Sequence, residues 1–187
     1  MTVIVAIEKE GVVYMGADTC RSCGKRKENV SIGEFAKIER MENGLLIGIS
    51  GRVRARQLLM AHKEFFSFAD DQLTKDDIIQ SFLPQMIALF KEKKEMGEDD
   101  IDLPVSLLLA KDSDLFVVTS ALKVYRVRDY AIGSGGSYAF AALRDESETV
   151  ENRLLNGMRL AEKFETGVGA PFVLVDTKEK TFKEVRE

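Results

Sequence analysis

A threonine at position 2 can do chemistry that an internal threonine cannot. Thr2 is preceded only by Met1, and a small second residue permits methionine removal. Thr2 would then carry a hydroxyl nucleophile and a free α-amine on one carbon skeleton. An unperturbed α-amine titrates at about 7.7–8.0, so near neutral pH it can hold or relay a proton without a histidine. Nucleophile and base would share a residue. The plainer alternative is a β-former opening a strand, and a retained Met1 would block the amine. Cys20 and Cys23 form Cys-Arg-Ser-Cys, the spacing of a redox pair or of half a zinc site. With two cysteines and one histidine, His62, the chain cannot assemble four Cys/His zinc ligands, so neither metal nor cofactor is expected.

The elements that must position Thr2 begin at once. Met1 to Asp18 reads as strand, turn, strand, with Gly11 in Glu8-Lys9-Glu10-Gly11 supplying the positive φ of a tight hairpin. The polar stretch from Thr19 to Glu34 reads as a solvent-facing loop. A second hairpin is expected from Ala36–Met41 and Leu45–Ile49 around Asn43-Gly44. Apolar residues then recur at three and four, predicting a helix from Arg52 to Phe68. Another starts at the Thr74 cap and runs to Phe90, kinked or broken at Pro84. Strands return at Val105–Ala110, Leu115–Thr119 and Lys123–Val127. Gly133-Ser134-Gly135-Gly136 opens a helix to about Asp145, a longer helix spans about Glu148 to Glu165, and Phe172–Val175 and Thr181–Val185 close the chain as strands.

This order suits an α+β fold, a four-layer αββα sandwich of two antiparallel sheets flanked by helices. A length of 187 residues suits a single domain. Hydrophobic content of 45% and charged content of 31% place the chain among globular proteins. A net charge of −4 with dispersed Lys and Arg leaves no footprint for nucleic acid. Arg52, Arg54 and Arg56 read as a solvated or interface face. No apolar run approaches the ~20 residues of a membrane span, no leader precedes Thr2, and a cytoplasmic address follows by default.

The opening hairpin with Gly16-Ala17-Asp18, then Phe35-Ala36-Lys37-Ile38, Ile47-Gly48-Ile49-Ser50-Gly51 and Ala131-Ile132-Gly133-Ser134-Gly135-Gly136 together resemble the proteasome β-subunit family, and its bacterial HslV branch most closely. The resemblance covers nearly the whole chain and implies the N-terminal nucleophile hydrolase fold and a threonine endopeptidase without cofactors. It gives Thr2 as nucleophile, Lys37 as the cation that lowers its pKa, Asp18 as the anchor of that lysine, Gly48 as oxyanion donor and Ser134 as partner of the threonine amine. Read from the residues alone, Asp18 and Lys37 are an ordinary ion pair and Ser134 a helix N-cap. By position, Arg21, Ser22, Leu46, Ser50 and Arg54 are expected along the substrate channel. Glu165 and Val168 stand where the proteasome pattern has aspartate and serine ahead of a glycine, here Gly169.

The resemblance further implies peptide or unfolded-protein substrates and self-assembly into hexameric or heptameric rings, stacked in pairs and fed by an AAA+ ATPase unfoldase. A proteasome-like amidase or peptide ligase, and a noncatalytic ring subunit with Met1 retained, are the alternatives.

Overall fold

The computed structural model describes residues 1–23, 26–29, 36–179 and 182–186, with 21–23 and 26–29 followed along the backbone alone. In chain order, β1 (Ile4–Lys9), β2 (Val12–Asp18), β3 (Cys20–Cys23), β4 (Arg26–Asn29), β5 (Ile38–Arg40) and β6 (Leu46–Gly51) lead into α1 (Val53–Ala61) and a 3-10 segment, Lys63–Ala69. A composite helix follows: α2 (Lys75–Asp77), a π-helical turn (Ile78–Phe82) and α3 (Leu83–Glu92). Then come β7 (Val105–Lys111), β8 (Asp114–Val118), β9 (Val124–Arg126), β10 (Asp129–Ile132), α4 (Gly136–Ala142), α5 (Val150–Phe164), β11 (Phe172–Asp176) and β12 (Lys183–Val185).

Two five-stranded antiparallel sheets form, in orders β10-β1-β2-β11-β12 and β5-β6-β7-β8-β9. Both faces of β1 are buried, which is why it reads as a continuous apolar run. Val3, Val5 and Ile7 face Leu154, Met158 and Ala161 of α5. Ile4 and Ala6 face the second sheet's Leu46, Leu108, Ala110 and Val117. On that sheet's outer side Ile47, Ile49, Leu107 and Leu109 pack with Leu59, Phe66, Phe82 and Phe90 from the other helical layer. The layers are α, β, β, α, as the order of elements requires.

Local differences from the expected elements have local causes. The first hairpin turns at Glu10 and Gly11, with φ of 54° and 78°, the left-handed pair that fits the twist of a two-residue turn. The expected loop from Thr19 to Glu34 instead contains the β3–β4 ladder, Cys20 opposite Asn29 and Cys23 opposite Arg26. Polar composition hid it, because a ribbon outside the sandwich needs no apolar alternation. The helix expected through Phe68 breaks at His62. Residues two apart do not share a face of an α-helix. Past the break, Phe66 and Phe68 both reach the Phe82 ring, at centroid distances of 5.3 and 5.0 Å. Pro84 falls in the first turn of α3, where its missing N–H costs little, and the π-turn ahead of it takes up the register change. Strand β10, invisible as a pattern, is recruited by β1.

Gly48 lies inside this sandwich, paired with Ile38 on one side and Leu108 on the other. A Cβ there would sit 2.9 Å from Ile4 Cγ2 and 3.1 Å from Met15 Cε. The missing side chain therefore lets the two sheets approach, and the expected oxyanion role at Gly48 gives way to packing. Gly48→Val should destabilise the fold by about 1–3 kcal/mol through overpacking, read as a lowered urea midpoint with an unchanged m-value.

Candidate active site

Register, more than any single contact, delivers Thr2 to its surroundings. Ile4 pairs with Ile132 on β10 and with Ala17 on β2. Extending both ladders two and one residues outward sets Thr2 opposite Ser134 and Val3 opposite Asp18. The contacts follow: the Thr2 nitrogen donates to Ser134 Oγ at 3.2 Å, the Gly135 N–H donates to the Thr2 carbonyl at 3.1 Å, and the Val3 N–H donates to Asp18 Oδ1 at 2.9 Å. Gly133 adopts φ 92°, and a Cβ on it would fall 2.3 Å from the Thr2 carbonyl oxygen. Only glycine permits this approach. The cap of α4 is Gly135 rather than Ser134, so the serine hydroxyl serves Thr2 rather than the helix.

Lys37 comes from the other sheet. It sits just before β5, where its carbonyl accepts the Ile49 N–H at 3.0 Å, and its Nζ crosses to Asp18 Oδ1 at 2.7 Å. A second bond, 2.9 Å to the Cys20 carbonyl, fixes the ammonium. The pair is almost dry, with side-chain exposures of 11% for Lys37 and 0% for Asp18, unlike an exposed surface pair. Burial raises the Asp18 carboxyl above its ordinary value, against the opposing pull of the Lys37 ammonium and of the Val3 and Gly169 N–H groups. Burial lowers Lys37, with nearby Arg56 adding to the effect, while Asp18 holds it up. A lysine so placed is a strong local cation whose proton is more easily lost than an ordinary lysine's.

Thr2 opens onto a cleft of about 480 Å³ shared with Met1, Ser50, Gly51, Leu103–Ser106, Ser120, Gly133 and Ser134. Of the two glycines of β6, Gly51 lines it and Gly48 does not. Ile49 donates its N–H towards Lys37 and Arg52 donates its own towards the Pro104 carbonyl, on the opposite side. Alternation along β6 turns the Gly51 N–H to the Ile49 side, the side from which Lys37 comes. Gly51 also has φ 124°, with the Pro104 carbonyl 2.3 Å from where a Cβ would lie. The signal was in the sequence: this glycine ends the strand just before the helix.

Of the expected channel residues, Ser50 lines the cleft. Leu46 does not, being fully buried between the sheets, because it shares the inward phase of Gly48. Arg54 projects outward from α1, 64% exposed, and binds Glu95 Oε1 at 2.7 Å. The side chains of Arg21 and Ser22 lie outside the described residues. Val168 is buried and would lie 3.3 Å from a Cβ on Gly135, an apolar prop beneath the Ser134 turn. Glu165 caps the C-terminus of α5. Leu103–Ser106 and Ser120 were unmarked in the sequence; they reach the cleft because β7 runs beside β6.

No protein-family model and no curated protein matches the sequence. Solved structures do. Thiobacillus denitrificans BPH, a proteasome-like protein, superposes with a TM-score of 0.74 at 25% identity, over 94% of this chain and 97% of its own. It has also been solved in complex with epoxomicin. The chain has the proteasome-like fold. Other proteasome-like structures share the four-layer sandwich at lower identity. HslV from Trypanosoma brucei gives a TM-score of 0.64 at 19% identity, over 94% of this chain and 98% of that one. Anbu from Yersinia bercovieri gives 0.69 at 13%, over 100% and 88%. Among the described residues of this proteasome-like chain, no helix is long and apolar enough to cross a membrane.

Removing one partner of a buried ion pair strands the other charge. Asp18→Ala should cost about 3–5 kcal/mol in urea unfolding at neutral pH. Adding Lys37→Met to that variant should recover part of the loss, since no unpaired ammonium then remains.

Proposed function

We propose that this chain is a threonine-type N-terminal nucleophile peptidase, a single domain over residues 1–187, which cleaves peptide bonds through an acyl ester on Thr2 after Met1 is removed. The observation that carries the reading is that Thr2 bonds Ser134 beside the dry Lys37–Asp18 pair, with Gly51 lining the cleft onto which Thr2 opens. With Met1 attached, the Thr2 hydroxyl donates to the Met1 carbonyl at 2.7 Å, and Lys37 Nζ lies 3.5 Å from the same oxygen. Loss of Met1 frees the hydroxyl and converts the Thr2 nitrogen, already on Ser134, into an amine.

Each group then has a role. The Lys37 ammonium lowers the pKa of the Thr2 hydroxyl by stabilising the alkoxide. The α-amine, oriented by Ser134, accepts the hydroxyl proton as Oγ1 attacks the peptide carbonyl carbon. The Gly51 N–H donates to the oxyanion, a contact worth about 2.7–4 kcal/mol where such donors have been removed. The amine returns the proton to the leaving nitrogen, the peptide bond breaks, and the acyl ester remains on Thr2. Water, deprotonated by the same amine, releases the acid and restores the hydroxyl. An amine in place of water as acceptor would make the chain a ligase, and a non-peptide amide as substrate an amidase, by the same ester.

The fold likeness supports self-assembly, which we read as hexameric or heptameric rings, stacked, with peptides or AAA+-delivered unfolded protein as substrate and a cytoplasmic setting.

Intact mass before and after incubation with a peptide epoxyketone tests the nucleophile, because the stable adduct needs both a hydroxyl and its free α-amine. The expected result is loss of one methionine and one adduct per chain, absent in Thr2→Ala, which should assemble normally and cleave nothing. Met1 retained with no adduct would make the noncatalytic subunit the better reading. The pH profile gives a second test. Since burial lowers Lys37 and Asp18 opposes it, Asp18→Asn should lower Lys37 further. The alkaline limb of kcat/KM should move to lower pH, and a limb that moves upward would contradict the assigned role of Lys37.

A further inference from the structure

Glu95 is a buried carboxylate that the proposed chemistry leaves without a task, its side chain 6% exposed. It follows α3, far in sequence from Thr2, yet it grips the residues just after Gly51. Arg54 Nη1 donates to Glu95 Oε1 at 2.7 Å, Arg54 Nη2 to the Lys93 carbonyl at 3.2 Å, and Arg52 Nη1 to the Glu95 carbonyl at 2.9 Å. Arg52 lies 3.9 Å from Glu95 Oε2. The Glu95 backbone is anchored in turn, its N–H donating to the Phe90 carbonyl at 2.8 Å.

Helix α1 needs such a grip. It begins at Val53 with Arg52 as its cap residue, has no side-chain cap and no acid in its first turn. Its N-terminus carries the positive end of the helix dipole and gathers Arg52, Arg54 and Arg56 as well. The dry Glu95 carboxylate is the counter-charge of Arg52 and Arg54, while Arg56 turns to Glu39 Oε1 at 3.7 Å. Between the clamp and the cleft stands a single residue: Arg52 is held by the Pro104 carbonyl at 2.9 Å and is bonded to Gly51, whose φ of 124° is set at that junction.

We propose that Glu95 is a positioning residue for the oxyanion donor, fixing the Gly51 N–H through Arg52 and Arg54. The inference rests on the peptidase reading above. Its loss should weaken stabilisation of the tetrahedral oxyanion while leaving ground-state peptide binding intact, because Glu95 is absent from the cleft lining.

The experiment compares wild type, Glu95→Gln, Glu95→Asp and Arg54→Gln on one fluorogenic peptide. Three readouts are taken: kcat, KM, and inhibition by a peptide aldehyde, which forms a tetrahedral oxyanion on the threonine. Epoxyketone adduct formation and thermal melting are followed in parallel. Glu95→Gln should lower kcat about tenfold, leave KM within about twofold and weaken aldehyde inhibition by a factor similar to the kcat loss, an order of magnitude below full loss of an oxyanion donor. Glu95→Asp should restore part of the rate, and Arg54→Gln should reproduce the split if Glu95→Gln does not fold. An unchanged kcat, or a rise in KM alone, in folded variants whose wild type forms the adduct overturns the positioning role and leaves the peptidase reading standing. A wild type that forms no adduct overturns both.

Discussion

Everything in the candidate site hangs from one carboxylate oxygen. Asp18 Oδ1 accepts the Val3 N–H and the Lys37 ammonium together, at 2.9 and 2.7 Å. The first bond fixes the residue after Thr2 at the end of an inner strand of one sheet. The second draws in a cation from the end of the other. A fully buried aspartate is costly unless paired and hydrogen-bonded, so the sandwich must close with β1, β2 and β5 in register or leave that charge stranded. The same demand that closes the two sheets at this end thus sets the distance between a hydroxyl and the cation that would activate it.

The glycines of the chain divide by what they let approach. Gly48 lets two sheets meet, Gly133 lets the backbone of Thr2 pass, and Gly51 lets the Pro104 carbonyl come close at the end of its strand. A Gly-x-x-Gly spacing on one strand therefore carries two different jobs. Three residues on a strand reverse the face, so the inward-facing Gly48 and the strand-ending Gly51 cannot substitute for one another.

The two helical layers are unlike in how they serve the site. Helices α4 and α5 hold the Ser134 turn through Gly135, Ala161 and Val168, an apolar contact with no charge in it. The opposite layer meets the cleft through α1, whose positive N-terminus is neutralised by Glu95 from beyond α3. One side is set by packing and the other by charge.

The sequence by itself determined the order of most elements along the chain, the αββα layering, the first two hairpins and the presence of a nucleophile-and-amine residue at position 2, because these follow from periodicity, turn chemistry and covalent structure. Thr2, Asp18, Lys37, Ser134 and Ser50 were all legible in it, and the structure brings them together at one end of the sandwich. It took Gly48 as the oxyanion donor, a glycine that the fold packs between the two sheets, and it misplaced Leu46 and Arg54. Tertiary structure decided those points, for the phase of β6 and the outward turn of α1 depend on which face each strand and helix finds to bury. It alone revealed β10, recruited by β1 rather than by its own pattern, the walls supplied by Leu103–Ser106 and Ser120, and the reach of Glu95 across more than forty residues to the start of α1. Such contacts are fixed by register and by the need to neutralise buried charge, and neither is written in the local sequence.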